Sequence, residues 1–154
     1  MDDAQLSARS TLAYTAYGRA CDNNDLAALR ALACDDVEFR ILGPVEKRGR
    51  GIEDFLDLFR AHEAGRVIRH VIYGVLAEQQ GAEIHTTAHF EATLFGVHET
   101  RVTYGEYHNR FREGADGVLL IAQQVIEVQR HLHLPASVPA GPNRRSGSTS
   151  RRRP

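Results

Sequence analysis

The sequence predicts an α+β domain in which N-terminal helices pack on one face of a strongly curved antiparallel sheet. Three observations lead there. Helical periodicity of apolar residues is confined to roughly the first sixty positions, strand-type alternation occupies almost everything from residue 66 to 130, and the strands are long. Segments 82–95 and 100–112 are each more than ten residues, against about five or six for an average strand. Strands of that length must twist and coil, and a coiled sheet wrapped over helices encloses a cone-shaped hollow.

The elements follow in order. Leu6, Ala13, Tyr17, Ala20 and Cys21 recur at helical spacing over residues 3–21. Asn23-Asn24-Asp25 interrupts that pattern and supplies a cap for a second helix, with Leu26, Leu29, Leu32 and Ala33 along one face. Val37, Phe39 and Ile41 alternate with Glu38 and Arg40, which is a strand, and Gly43-Pro44 ends it. A third helix follows Gly51: Ile52, Phe55, Leu56 and Phe59 share a face, and Glu53 and Asp54 fall in the first turn, where acids favour the helix dipole. Residues 66–77 are rich in Val, Ile and Tyr, and Gln79-Gln80-Gly81 turns the chain into the strand at 82–95. A turn near Gly96 leads into 100–112, and Asp116-Gly117 signals a hairpin into a last strand over 118–130.

Composition bounds the function. The 154 residues carry a formal net charge of −1 and 42% apolar residues, the profile of an ordinary globular domain without a field that would steer nucleic acid or membranes to it. No run of apolar residues is long enough to span a bilayer, and the acidic N-terminus has no signal-peptide character, so the expected location is cytoplasmic. Cys21 and Cys34 fit no metal-binding spacing and read as small buried hydrophobes. Residues 135–154 contain four of the five prolines, five arginines and no acid. They are expected to form a disordered basic tail after a domain spanning 1–134.

Three stretches give the chain a family resemblance. Tyr17–Asn24, Asp25–Leu32 and Asp36–Phe39 are similar to the opening helix pair and first strand of the nuclear-transport-factor-2-like superfamily, in its SnoaL-like branch. Arg69-His70 resembles the start of its second strand. Gly105–Phe111 with Asp116-Gly117 resembles its penultimate strand and last turn. The resemblance covers about residues 5–130 and implies the cone-shaped fold. Within the superfamily, cofactor-free dehydratases similar to scytalone dehydratase and bile-acid 7α-dehydratase pair an Asp at the end of the first helix with a His on the second strand. The matching positions are Asp22 and His70, and Tyr17 matches a tyrosine used in some of these enzymes. The chain departs from them elsewhere: no clean third-strand match exists, Asn109 stands where an Asp is often found, and Val118-Leu119 replace a Trp after the last turn.

The residues themselves give competing readings. His70 lies between Ile68 and Ile72 on one strand face, so its ring enters an apolar layer and needs a partner. A carboxylate such as Asp22 would fix its tautomer and raise its basicity; a core histidine bonded to the backbone is the alternative, and Asp22 could simply cap the helix end. Tyr17 is read as a donor to a substrate oxygen or as an ordinary core residue, with Tyr14 competing for the same role. On the third strand Ile84, Thr86, Ala88, Phe90 and Ala92 alternate with His85, Thr87, His89, Glu91 and Thr93, and which face lines the hollow is open. The same holds for His108 against Tyr107 and Asn109. His89, Glu91, Tyr107, His108 and Asn109, with Tyr14, Phe55 and Phe59, are the expected substrate-binding set. His85 and His89 are about 13 Å apart by strand rise, too far to share one ion, and no metal or other cofactor is expected.

The leading expectation is a cofactor-free lyase (dehydratase) or isomerase/cyclase. It would act on a small hydrophobic carbonyl or hydroxy compound, polyketide- or steroid-like, with His70 as general base and acid, Asp22 orienting it and Tyr17 polarising a carbonyl. The alternative is a ligand-binding domain or a structural subunit similar to the β subunit of aromatic-ring-hydroxylating dioxygenases. For either reading the resemblance also implies a homo-oligomer formed through the outer sheet face, a dimer with a trimer as the alternative. Neither a nucleic-acid nor a membrane partner is expected.

Overall fold

The Asp2 carboxylate starts the first helix, α1 (Asp3–Asp22), by accepting a hydrogen bond from the Gln5 backbone N–H at 2.8 Å. The helix stops at Asn23-Asn24, where Asn24 takes the left-handed conformation at φ 50°. Asp25 then caps α2 (Leu26–Ala31), accepting from the Ala28 N–H at 2.9 Å. The computed structural model describes residues 2–60 and 67–135. Of the expected tail only Pro135 falls within that range, as the last residue of a strand; the rest of 135–154 lies outside the described residues.

The remaining elements are β1 (Ala33–Leu42), β2 (Lys47–Arg50), α3 (Ile52–Arg60), β3 (Val67–Gln80), β4 (Glu83–Phe95), β5 (Glu99–Glu113) and β6 (Leu119–Pro135). They make one six-stranded sheet in the order β2-β1-β6-β5-β4-β3. Strands β3 to β6 form the expected antiparallel meander, whereas β1 joins β6 in parallel, so the sheet is mixed and does not close. The architecture is the expected α+β one, with helices on the concave side of a curved sheet. The short strand β2 was not foreseen. Lys-Arg-Gly-Arg carries no apolar alternation; it is a charged edge strand that pairs with β1, and its Arg50 N–H donates to Asp54 of α3 at 3.2 Å.

The inner face is built from alternate residues. Phe90 on β4, Tyr107 and Phe111 on β5, and Ile121 on β6 are each at most 3% exposed and meet Tyr14 and Tyr17 of α1 and Phe55, Leu56 and Phe59 of α3. Their rings are in direct contact: Phe90 stacks on Tyr107 with centroids 4.5 Å apart, and Tyr17 stands edge-on to Tyr107 at 5.8 Å. Two glycines make these approaches possible. A Cβ on Gly105 would lie 2.1 Å from the Glu127 carbonyl oxygen and 2.7 Å from the Phe90 ring. A Cβ on Gly18 would lie 3.3 Å from Ile72 and 3.6 Å from the Cβ of His70, so Gly18 is where α1 seats on β3. Asp22 is one turn further along the same helix face.

Candidate acid–base site

Strand β3 is the free edge of the sheet, and its unpaired backbone N–H groups need acceptors. Asp22 provides one. Its Oδ1 accepts from the His70 backbone N–H at 2.9 Å and lies 2.7 Å from His70 Nδ1. The two side chains are 16% and 10% exposed, so the contact is largely shielded from water. With the Nδ1 proton held by the carboxylate, Nε2 of the neutral ring carries the lone pair, the tautomer a general base requires.

The ring of His70 lines a cavity of about 360 Å³. Its walls are mainly apolar: Phe59 and Leu58 from α3, Phe90 and Tyr107 from the sheet, and Ile126 and Val128 from β6. That volume is at the small end of the usual range for small-molecule sites. Asp22 does not line the cavity; it stands behind His70. Among the described residues no three His, Cys, Asp or Glu side chains stand close enough to share a metal ion.

Tyr17 and Tyr107 also line this space. The Tyr17 hydroxyl donates to Gln124 Oε1 at 3.2 Å. Burial is the main cause that raises the Tyr17 pKa well above the usual tyrosine range, with neighbouring Cys21 and Tyr107 adding to it. It therefore stays a protonated donor at any ordinary pH. Burial likewise pushes the Cys21 thiol up to about 12, which leaves it neutral and unreactive beside the cavity.

The other expected binding residues divide three ways. Phe59 and Tyr107 are at the wall. Tyr14, Phe55 and Asn109 point inward but are packed behind the cavity: Tyr14 bonds Thr86 at 2.8 Å, Phe55 is wholly buried between Phe39 and Phe59, and the Asn109 amide is 2% exposed with no hydrogen-bond partner. His89, Glu91 and His108 do not face the hollow. Their strands put Ile84, Ala88 and Phe90, and Tyr107 and Asn109, against the helices, which turns the polar alternates outward. There His89 contacts Glu106 at 3.4 Å, and His108 reaches Glu106 and Glu127 at 3.6 and 3.4 Å. A second depression of about 430 Å³ lies on that outer face, with His108 and Arg110 in its wall, and neither His70 nor Asp22 lines it.

Several lining residues escaped the sequence reading. Thr103, Ile126, Val128 and His131 belong to positions whose face is decided by β5–β6 register, and Lys47 belongs to the unforeseen β2. Gln124, the partner of Tyr17, is wholly buried with its Nε2 unpaired. A glutamine within an otherwise apolar run was the available signal.

A SnoaL-like domain model matches residues 11–124, about three quarters of the chain. The chain belongs to the SnoaL-like family. No curated relative matches it by sequence. Among solved structures it is similar to a type 2 hexachlorocyclohexane dehydrochlorinase (LinA), at 18% identity and a TM-score of 0.72, covering 90% of this chain and 97% of that one. A provisionally assigned scytalone dehydratase from Novosphingobium aromaticivorans matches at 16% identity and a TM-score of 0.66, covering 86% and 91%. The β subunit of a provisionally assigned aromatic-ring-hydroxylating dioxygenase from the same organism matches at 18% identity and 0.69, covering 84% and 93%. At these identities the likeness is one of fold.

Proposed function

We propose that this SnoaL-like protein is a cofactor-independent lyase or isomerase that moves protons on a small hydrophobic carbonyl or hydroxy compound. One observation carries the reading: His70, held through Nδ1 by Asp22 at 2.7 Å, lines an apolar cavity. In a dehydration, His70 Nε2 takes the proton from the carbon beside the carbonyl, and the C–H electrons move onto the carbonyl oxygen as an enolate. The enolate then reforms the carbonyl, a double bond forms, and the β-hydroxyl leaves as water with the proton from His70. Asp22 balances the imidazolium between the two steps. Tyr17 is the donor for the enolate oxygen, turning its hydroxyl from Gln124 to the ligand. An isomerisation returns the same proton to a different carbon.

The test is solvent deuterium exchange at the α-carbon of small bicyclic ketones such as 2-tetralone, followed by NMR. The parent chain is expected to accelerate exchange over buffer, and His70→Ala to abolish the acceleration. No acceleration with any ketone of the panel would sink the proposal.

A structural-subunit role is the second reading, and the similarity to a dioxygenase β subunit together with exposed Val71, Tyr73 and Leu76 on the outer sheet face favours it. We further propose that the domain spans residues 1–134, followed by a basic tail, that the protein is cytoplasmic, and that it pairs as a homodimer through that apolar strip. Light scattering on the parent and on Leu76→Glu tests the dimer: a parent that is already monomeric refutes it.

A further inference from the structure

The acid–base pair occupies one end of a row that crosses the inner face of four strands. His70 on β3 pairs with Ala92 on β4, Ala92 with Thr103 on β5, and Thr103 with His131 on β6. A second imidazole therefore stands on the same row as the first, about 14 Å away along the sheet by strand spacing and nearer across the hollow because the sheet curls. Both line the cavity, and the residues between them are short, so a flat molecule can lie over Ala92 and Thr103 and touch both rings.

The His131 ring is fixed. Its Nδ1 lies 2.9 Å from Thr103 Oγ1. With the hydroxyl as donor the ring keeps its proton on Nε2, a second donor on a residue of the cavity wall. Among the described lining residues there is no Asp or Glu, and Lys47 is the sole full charge. Lys47 makes no ion pair among the described residues, although a shallow groove on its other side carries Glu46, Asp54 and Asp57. One row further out, Arg101 adds a cation beside His133, which Glu99 contacts at 3.2 Å.

We infer that the cavity selects a ligand bearing an anionic oxygen group, a carboxylate, on the end remote from the reacting carbon. His131 and Lys47 hold the carboxylate while the apolar body lies against Phe90 and Val128. The inference rests on the acid–base reading for which end reacts, but its own content, the preference for an anion, is measured by binding alone. A neutral cavity would hold the same hydrocarbon without this end group. The Lys47 charge and the His131 donor add affinity for the anionic end and orient the ligand so that its reacting carbon meets His70.

The experiment compares equilibrium binding of 2-naphthoate and its neutral isostere 2-naphthamide to the full chain by calorimetry. The parent is expected to bind naphthoate about tenfold more tightly than the amide, with the gap narrowing in high salt. His131→Phe and Lys47→Met are each expected to reduce that preference, read as the ratio of naphthoate to amide affinity, about three- to tenfold. Both positions are exposed, and circular dichroism on the variants verifies the fold. Equal affinity for the two probes, failure of both to bind, or a preference untouched by both substitutions overturns the inference. If naphthoate is preferred and the variants behave as expected, yet deuterium exchange does not depend on His70, the acid–base proposal fails and the anion site stands.

Discussion

Replacing Asp22 separates what the carboxylate does for the fold from what it does for chemistry. A single oxygen, Oδ1, accepts from both the backbone N–H of His70 and its ring, at 2.9 and 2.7 Å. Asp22→Ala removes the acceptor for two donors of His70, one backbone and one on a ring whose side chain is only 10% exposed. An unsatisfied shielded donor costs about 1–3 kcal/mol; partial access to water here places the expected loss at about 2–4 kcal/mol in all. Asp22→Asn keeps a carbonyl oxygen in the same place and gives up only the charge, so its loss is expected to be about 1 kcal/mol. Urea unfolding measures both. The rate should sort the variants differently: without a carboxylate to orient and balance the imidazolium, α-deuterium exchange is expected to fall about 100-fold or more in either variant. An asparagine variant that is stable and still exchanges within a few-fold of the parent would refute the reasoning, since the pair would then be only an edge-strand cap.

Three further outcomes follow from the packing. Gly105→Ala should destabilise the chain by about 3 kcal/mol or more, because its Cβ would meet the Glu127 carbonyl oxygen at 2.1 Å; a urea midpoint close to the parent's would show that the β5–β6 ladder yields. Above pH 9 stability should fall, because Cys21 keeps its proton to about 12 when folded but loses it near 9 when unfolded. The unfolded chain then binds fewer protons, and the loss from this group reaches about 2 kcal/mol near pH 10.5; thermal melts should lose that component in Cys21→Ala. Tyr17→Phe should cost about 1–2 kcal/mol by stranding Gln124, and should slow deuterium exchange by more than that loss of fold explains, measured at a temperature where both proteins are fully folded.

Local pattern carried most of the fold. The three helices and the four-strand meander were legible because their apolar periods are long and the breaks at Asn23–Asp25, Gln79–Gly81 and Asp116-Gly117 are sharp. What was not legible is pairing between distant segments. The parallel contact of β1 with β6 leaves no mark on either strand, and β2 has no pattern of its own because β1 supplies its register. The site divides the same way. Asp22 and His70 were singled out through family resemblance and do meet in the structure, but neither β3 nor α1 alone implies their contact; Gly18, which lets the helix close on His70, gives no signal until both elements are placed. On β4 the alternation of His85, His89 and Glu91 with Ile84, Ala88 and Phe90 fits either orientation, and the helices' demand for an apolar partner decides it.

Taken in rows, the inner face has a polarity that bears on substrate choice. The deepest polar row, Thr86, Asn109 and Gln124, is at most 4% exposed and sealed from the cavity by Tyr107 and Tyr17. Above it come an apolar row, Ala88–Tyr107–Ile126, and another, Ile72–Phe90–Gly105–Val128. The row of His70 and His131 lies outermost of these. A ligand that spans this row from His70 to His131 rests its apolar body on the row beneath, so size is read by Phe90, Ile126 and Val128 rather than by the acid–base pair. Val128→Phe should then weaken binding of a bicyclic ketone about tenfold or more through lost space while a monocyclic ketone keeps its His70-dependent exchange. If both ketones lose exchange equally, the apolar rows do not set size.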